Sequence, residues 1–260
     1  MARSEQQKDM KKRLDILLVK SRLADNQTQA RALIMTGRVS IEDKVVDKPG
    51  TLVSEKAEIK IKESFPYVSR GALKLEKAYQ EFNLDFKDKI ICDIGSSTGG
   101  FTDFALQQGA KKVYAIDVGR RQLDQKLRHD KRVIVMEKTD FRDVKKLPDK
   151  IDCFLCDVSF ISLKQILPQI LKLIASSELQ KADVVALIKP QFEAEVKEVT
   201  QGKGVIKSEQ TRLKIVEDIK NFAKKLDSRI VGVTESPIQG AKGNVEYLLY
   251  LSLYYIKNVQ

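Results

Sequence analysis

Four ionisable side chains occupy positions in the sequence where burial makes a charge unfavourable. Lys189 and Asp157 each follow an apolar run, Glu246 interrupts another, and Lys74 borders the apolar side of a predicted amphipathic helix. Each one alone could be a satisfied structural charge, since buried lysines and acids are usually paired. In an open α/β sheet, however, the carboxyl ends of the strands face the ligand crevice. Together the two acids and two lysines predict a proton-handling site.

A glycine-rich turn follows the apolar run that begins at Ile90. The segment reads as a short strand, a tight turn and the start of a helix. Glycines let the backbone turn sharply and let a ligand come close, and the helix start offers free N–H groups and a positive dipole end. The segment therefore predicts a nucleotide-type cradle formed by Asp93, Gly95, Ser96, Ser97, Thr98, Gly99, Gly100 and Phe101.

The acids around this cradle indicate which nucleotide it binds. Asp117 ends the next strand, where a carboxylate can accept both hydroxyls of a ribose. The Gly-x-Gly-x-x-Gly pattern is absent because Ser97 stands at the second glycine, which argues against NAD. Asp93 would repel a diphosphate but suits a cationic amino-acid tail such as that of S-adenosylmethionine. Asp140, at the end of a third strand, could bond the adenine amino group.

The glycine turn has two other possible interpretations, a turn without any ligand and the nucleophile turn of a serine hydrolase. Such turns occur in many folds without any ligand, although the acid at a strand end favours a ligand here. The residues Gly95 to Gly99 also spell Gly-x-Ser-x-Gly, the nucleophile elbow of α/β-hydrolases. That enzyme class needs a histidine after the last strand, and the single histidine, His129, comes far too early. A serine hydrolase is therefore excluded.

The three cysteines predict neither a disulfide framework nor a zinc site. Cys153 and Cys156 form a Cys-x-x-Cys in a predicted strand, where side chains three apart point to opposite faces and cannot hold one ion together. We interpret them as buried small apolar residues. No metal is expected at the site.

Charge and hydropathy restrict the function class. With 260 residues the chain can hold one large and one small domain, and 47 Lys and Arg against 36 Asp and Glu give a net charge of +11. Such a surplus favours a polyanionic partner such as nucleic acid. There is no apolar segment of about 18 uncharged residues and no apolar signal region at the start. These features predict a soluble cytoplasmic protein without a membrane partner.

The order of predicted elements divides the chain into parts. A compact helix-helix-hairpin module is followed by alternating strands and helices, which predict an open α/β sheet whose last strand runs antiparallel. Ser69 is the candidate cap of the helix that carries Lys74. The stretch 193–207, with six charges and two glycines, is expected to be a mobile loop. The predicted divisions are a flexible tail at 1–10, a small module at 11–62, a linker at 63–69 and the large domain at 70–260.

The small module resembles the S4-type RNA-binding domain. The resemblance rests on Arg13-Leu-Asp-x-x-Leu, Gln29-Ala-Arg-Ala-Leu-Ile34 and Gly37-Arg-Val-Ser-Ile-x-x-Lys-Val-Val46. It implies docking on structured RNA through a basic edge, although each cation alone could be part of a solvated helix face. Phosphate contacts of this kind give affinity and orientation without sequence specificity. The candidate RNA-binding residues are Arg13, Arg31, Arg38, Lys44 and, beyond the linker, Arg70.

The large domain resembles the FtsJ-like ribose 2′-O-methyltransferases. The matching segments are Ser69-Arg-x-x-x-Lys74-Leu, Asp93-Ile-Gly-x-x-x-Gly-Gly-Phe101, Cys156-Asp-Val-Ser-Phe160, Lys189-Pro-Gln-Phe-Glu193 and Gly243-Asn-x-Glu246. Joined to an S4-type module, the chain is similar to the TlyA family, ribosomal RNA methyltransferases also labelled haemolysins. The resemblance implies a Rossmann-like methyltransferase sheet, S-adenosylmethionine as cofactor, and methylation of a cytidine ribose in small- or large-subunit ribosomal RNA. It also implies a catalytic tetrad of Lys74, Asp157, Lys189 and Glu246.

The chemistry of methyl transfer agrees with this tetrad. A ribose hydroxyl is a poor nucleophile until its proton leaves, and Lys189 is the expected base, which must be neutral at that moment. A neighbouring lysine favours the neutral amine, whereas neighbouring carboxylates favour the charged one, and the sequence leaves this balance open. The Asn-Pro-Pro-Tyr motif of amine methylation and the Pro-Cys of cytosine C5 methylation are absent. A ribose oxygen is therefore the expected acceptor.

Two functions of other classes remain as alternatives. A membrane-active haemolysin would need a membrane-active segment, and none is visible in the sequence. An RNA-binding assembly protein without catalysis would differ from the enzyme in lacking affinity for the cofactor. The intact glycine turn and tetrad speak against that second alternative.

Overall fold

The computed structural model describes residues 10–61, 65–177 and 179–255. It divides into two compact units, Met1–Pro66 and Tyr67–Gln260. The predicted flexible tail falls almost wholly outside the described residues, as do positions 62–64 at the start of the predicted linker.

Unit 1 is a small α+β module in which two helices pack on short strands. Asn26 caps its second helix, with Oδ1 accepting a hydrogen bond from the Gln29 N–H at 2.9 Å. Leucines of the first helix and aliphatic residues of the second form one buried cluster. Its elements are β1 (Lys11–Arg13), α1 (Leu14–Lys20), α2 (Gln27–Met35), β2 (Val39–Ile41), β3 (Lys44–Val45), β4 (Leu52–Ser54) and β5 (Ile59–Ile61).

The strands of unit 1 form two small antiparallel sheets. β2 pairs with β3 and with β5, which confirms the predicted hairpin and the strand that follows it. β1 pairs with β4, a pairing that the sequence did not predict because both strands are only three residues long.

Unit 2 alternates strands and helices. The strands are β6 (Ile90–Ile94), β7 (Lys112–Asp117), β8 (Val133–Glu137), β9 (Cys153–Cys156), β10 (Lys181–Ile188), β11 (Ser228–Glu235) and β12 (Tyr247–Tyr254). The helices are α3 (Ala72–Glu81), α4 (Gly100–Gln107), α5 (Gln125–Arg128), α6 (Leu163–Ser176), α7 (Pro190–Glu193), α8 (Val196–Gln201) and α9 (Glu209–Lys224).

The strands of unit 2 form one sheet in the order β11-β12-β10-β9-β6-β7-β8. The neighbours from β10 to β8 are parallel, and β12 is antiparallel to both β10 and β11. This confirms the predicted, mostly parallel sheet with an antiparallel last strand. From β6 the chain moves outward through β7 and β8 and then returns to the other side of β6 as β9. A topological switch point therefore lies between the carboxyl ends of β6 and β9, where the Gly95 turn and Asp157 stand.

Apolar side chains cover both faces of this sheet. One cluster packs beneath α6 and α9 and contains Cys92 and Cys156, whereas the other packs beneath α3 and α4 and contains Cys153. Cys153 and Cys156 therefore lie on opposite faces, as the strand spacing predicted. All three cysteines are buried and free.

Two local predictions for unit 2 were wrong. The expected loop at 193–207 starts at the last residue of α7 and contains α8, which begins with a capping box between Glu195 and Glu198. Several of its charges belong to helix ends, which composition alone does not distinguish from a loop. Ser69 does not cap α3 either, because the helix begins after Gly71 without a side-chain cap.

Gly95 occupies a position that no other residue fits without strain. Its φ of +82° lies in the left-handed region, and an added Cβ would lie 2.7 Å from the backbone oxygen of Asp157. The glycine therefore lets the turn after β6 press directly against the end of β9. Two loops that carry functional candidates are held together by this close approach.

Replacing Gly95 with alanine should destabilise unit 2 by about 2 kcal/mol, because left-handed strain is added to a backbone clash. Gly109→Ala is the matched control, since Gly109 has φ +88° but its added Cβ would have no neighbour closer than 3.5 Å. That variant should lose only about 1 kcal/mol. Chemical denaturation of both variants measures the difference, and equal losses would show that the contact with Asp157 is unimportant.

Candidate active site

Asp157 joins both lysines of the predicted tetrad. Its Oδ1 lies 2.6 Å from the Nζ of Lys189, and its Oδ2 lies 3.4 Å from the Nζ of Lys74. The side chains of both lysines are 10% exposed, so these ion pairs are largely removed from water. Lys189 also donates a hydrogen bond to the Ser159 hydroxyl at 2.8 Å.

Glu246 completes the cluster from the antiparallel side of the sheet. It precedes β12, and its Oε2 accepts a hydrogen bond from Lys74 at 2.8 Å. Its other oxygen accepts a longer bond of 3.4 Å from the Gln191 amide. The structure thus brings the four predicted residues into one chain of contacts, with Lys189 at one end and Glu246 at the other.

The charged residues of the cluster stabilise one another's ionised forms. Burial alone would raise the pKa of Asp157, but the adjacent Lys189 and Lys74 lower it below its ordinary value. Burial alone would lower the pKa of Lys74, but Asp157 and Glu246 raise it. Asp157 is therefore ionised and Lys74 is protonated at neutral pH.

Two adjoining cavities open at the switch point. The larger, of about 460 Å³, runs from the Gly95 turn past Asp117 and Asp140. The smaller, of about 250 Å³, lies over the rest of the glycine turn and reaches Lys189. Both are lined by Asp157. Together they form one crevice with acids at both ends of the glycine turn and a lysine in its wall.

Asp93 presents a buried carboxylate to the smaller cavity. Thr102 donates a hydrogen bond to its Oδ2 at 2.6 Å, while its Oδ1 has no hydrogen-bond partner among the described residues. Complete burial raises the pKa of Asp93 to about 7, with the nearby Asp157 adding to this effect. A buried acceptor without a partner fits a cationic group such as an ammonium.

Asp117 is positioned by the turn around it. Its Oδ2 accepts the Ser97 N–H at 2.8 Å, and its Oδ1 accepts the Gly119 N–H at 2.7 Å. Each carboxylate oxygen retains a further lone pair toward the larger cavity, which fits the two hydroxyls of a ribose. Asp140 lines the same cavity, but its carboxylate is already paired with Arg142.

The other residues of the predicted cradle differ in how they meet the crevice. Ser97 and Gly95 line both cavities, and Ser96, Thr98, Gly100 and Phe101 line the smaller one. Gly99 lines neither, and it is instead the left-handed cap that starts α4.

Sequence reasoning missed three residues beside the tetrad. Ser159 and Gln191 bond Lys189 and Glu246, and both belong to the motifs quoted above without having been singled out. Phe160 is 90% exposed and contacts Phe192, with ring centroids 4.9 Å apart. An exposed aromatic ring is visible only once the fold shows that the residue is outside the core.

The cations predicted to bind RNA in unit 1 differ in their surroundings. Arg13 and Arg31 both bond the buried Asp15, at 2.9 and 3.1 Å, and they hold its pKa well below the usual range. Lys44 is exposed, and the Nε of Arg38 is buried without a partner among the described residues. Arg70, in unit 2, is exposed just before α3.

The described residues contain no group of three or more His, Cys, Asp and Glu side chains that could hold a metal ion. No helix among them is long and apolar enough to cross a membrane.

The sheet order and the crevice at its switch point are those of Rossmann-like methyltransferases. Residues 67–253 match the FtsJ-like methyltransferase family, and residues 12–59 match the S4 domain. The chain therefore belongs to the FtsJ-like methyltransferases, in the TlyA family that joins this enzyme domain to an S4 domain. Fold and family imply S-adenosylmethionine as the methyl donor.

Relatives over nearly the whole chain carry two kinds of name. The 16S/23S rRNA (cytidine-2'-O)-methyltransferase TlyA of Mycobacterium tuberculosis is 39% identical, over 92% of this chain and 89% of that protein. Hemolysin A of Brachyspira hyodysenteriae is 40% identical over 92% and 98%. A solved structure from Streptococcus thermophilus, whose name assigns it provisionally to the hemolysins, is 42% identical with a TM-score of 0.72, over 95% of this chain and 90% of that one.

The surroundings of Asp93 make cofactor binding depend on pH. Only the ionised carboxylate attracts an ammonium, so S-adenosylmethionine should bind more tightly as pH rises through about 7. Well below that pH its affinity should change by about tenfold per pH unit. Calorimetric titrations between pH 5.5 and 7.5 measure this dependence.

The matched control ligand is 5′-methylthioadenosine, which lacks the amino-acid tail. Its affinity should change little over the same pH range, and Asp93→Asn should remove the dependence for S-adenosylmethionine. Parallel pH profiles for the two ligands would contradict the assignment of Asp93 to the tail.

Proposed function

We propose that this methyltransferase acts on the ribose 2′-hydroxyl of a cytidine in ribosomal RNA, with Lys189 as the base. The observation that carries the proposal is the position of Lys189. Its amine stands in the wall of the cavity that the glycine turn forms, and Asp157 and Ser159 hold it there. A base must lie within reach of the group from which it removes a proton, and Lys189 lines the same cavity as the glycine turn.

The residues of the chain account for each requirement of the reaction. When bound, S-adenosylmethionine supplies an electrophilic methyl group and the positive charge of its sulfonium. Lys189 in its neutral form accepts the proton of the attacking hydroxyl, and Asp157 then stabilises the ammonium that results. Lys74 holds the second oxygen of Asp157 and one oxygen of Glu246, so the carboxylate of Asp157 stays aimed at Lys189.

Two observations support RNA as the acceptor. The S4 domain match accompanies a net charge of +11, and the relatives with enzyme names act on ribosomal RNA as those names state. Phe160 offers an exposed ring three residues after Asp157, where an unstacked base can lie against it. The name of the Mycobacterium tuberculosis relative includes both 16S and 23S rRNA, so both subunits are candidate substrates.

Lys189→Ala should lower methyl transfer by about 100-fold or more, because general base catalysis contributes at least that much. Affinity for S-adenosylmethionine should remain, since the cradle is unchanged. Tritium transfer to 30S and 50S subunits from cells that lack the gene measures activity, and mass spectrometry of the digested RNA separates ribose from base methylation. Lys164→Ala, which removes an exposed lysine on α6, is the matched control. Retained activity in Lys189→Ala, or methyl groups on bases, would contradict the proposal.

Phe160→Ala should raise the KM for ribosomal subunits by about tenfold, since stacking on an aromatic ring contributes about 1–3 kcal/mol per base. Phe160→Tyr keeps the ring and should restore the KM. Because Phe160 also lines the larger cavity, cofactor affinity is measured in parallel. A loss of cofactor affinity with an unchanged KM for RNA would place Phe160 in the cofactor site instead.

A further inference from the structure

Two turns near Glu246 each present a lysine in a strained backbone conformation. Lys203 has φ +53° and Lys242 has φ +57°, both in the left-handed region that residues other than glycine rarely adopt. Both side chains are exposed, and neither forms an ion pair with any acid that the structure describes. Two strained and unpaired cations on neighbouring turns are not required by the packing of the sheet.

Asn244 links the two turns through hydrogen bonds. This residue is buried, its Nδ2 donates to the Gly204 carbonyl at 2.9 Å, and its Oδ1 accepts the Ile206 N–H at 3.1 Å. Its own carbonyl accepts the Gly240 N–H at 2.9 Å. The Nζ of Lys242 reaches across to the other turn, where an added Cβ at Gly204 would lie only 3.1 Å from it.

The same pair of turns is in contact with the catalytic cluster. Gly240 lies directly against the carboxylate of Glu246 and leaves no room for a Cβ. Glu246 is in turn bonded to Lys74, which bonds Asp157. The turn that carries Lys242 is thus held by its contact with Glu246. Asn244, in the same segment, holds the turn that carries Lys203 through its hydrogen bonds to Gly204 and Ile206.

We propose that Lys203 and Lys242, together with the exposed Lys207, form a clamp for RNA phosphates that flank the target nucleotide. The clamp rests on the proposed function, because it assigns a second contact to the same substrate. Lysine binds phosphate as a point charge, and on a fixed backbone only the side chain has to be ordered when it does so. The three acids of the segment before the Lys203 turn are already engaged, since Glu195 and Glu198 form the capping box of α8 and Glu193 bonds Ser162 at the start of α6.

The clamp would set the register of the RNA at the crevice. Phosphate contacts fix the register of a nucleic acid on a protein. Contacts made by the turns that pack against Glu246 fix that register close to the reacting sugar. The clamp therefore aligns the target ribose after the substrate has been captured.

The test is the salt dependence of RNA binding by the full chain carrying Lys203→Gln and Lys242→Gln together. Glutamine keeps the Cβ and a polar end on a shorter stem, so the backbone strain is unchanged while the charge is removed. Each lost phosphate contact lowers the slope of log affinity against log salt by about 0.7 to 0.9, so we expect the slope to fall by about 1.5 and affinity near 150 mM salt by about tenfold. The probes are 30S and 50S subunits from cells that lack the gene, and the 16S and 23S RNA extracted from them.

Lys172→Gln with Lys225→Gln is the matched control, because both lysines are exposed, with Lys172 in the carboxyl-terminal half of α6 and Lys225 just after α9. A helix that follows a parallel strand runs back along the sheet and ends near the amino ends of the strands, opposite the crevice. This pair therefore removes the same charge at a site away from the proposed clamp. An unchanged slope in the clamp variant, or an equal fall in the control, would overturn the clamp. An effect on intact subunits but not on extracted RNA would also overturn it, since it would indicate a ribosomal protein as partner. If the slope falls in the clamp variant only but the wild-type chain transfers no methyl group, the proposed function is contradicted, and the two lysines remain as a phosphate contact without a target ribose.

Discussion

The structure depends on the position of Asp157 between two lysines and a glycine turn. Its carboxylate binds Lys74 and Lys189, its N–H donates to the Ile94 carbonyl at 3.0 Å, and its own carbonyl abuts Gly95. One residue thus fixes both the glycine turn and the amine that we propose as the base. Displacing it would change the distance between the two reacting groups, and catalysis by positioning is sensitive to shifts of about 1 Å.

The four side chains of the tetrad form a balanced set of charges. Two lysines face two acids, and Asp157 contacts both lysines while Lys74 contacts both acids. Removing one partner would leave an uncompensated charge in a site that is largely removed from water, which is strongly unfavourable. The four residues therefore depend on one another for their positions.

The sequence predicted the sheet, its antiparallel last strand and the set of residues at the crevice, because apolar runs and the acids at their ends are local patterns. It did not predict α7 and α8, since their charges serve helix caps that look like a loop in composition. It also did not predict which carboxylate each lysine contacts. That depends on long-range register, such as the 172 residues that separate Lys74 from Glu246. Phe160 was missed for a related reason, because exposure is a property of the fold.

The two units must divide affinity and selectivity between them. In unit 1 the guanidinium groups of Arg13 and Arg31 are oriented by one buried carboxylate, Asp15, so they present fixed donors at little entropic cost. Fixed donors bind the repeating phosphates of RNA, which are the same at every nucleotide. On the proposed function, such contacts would capture ribosomal RNA without choosing a ribose. The choice would then be made where a single nucleotide meets the crevice of unit 2, which carries the exposed ring of Phe160, the glycine turn and Lys189.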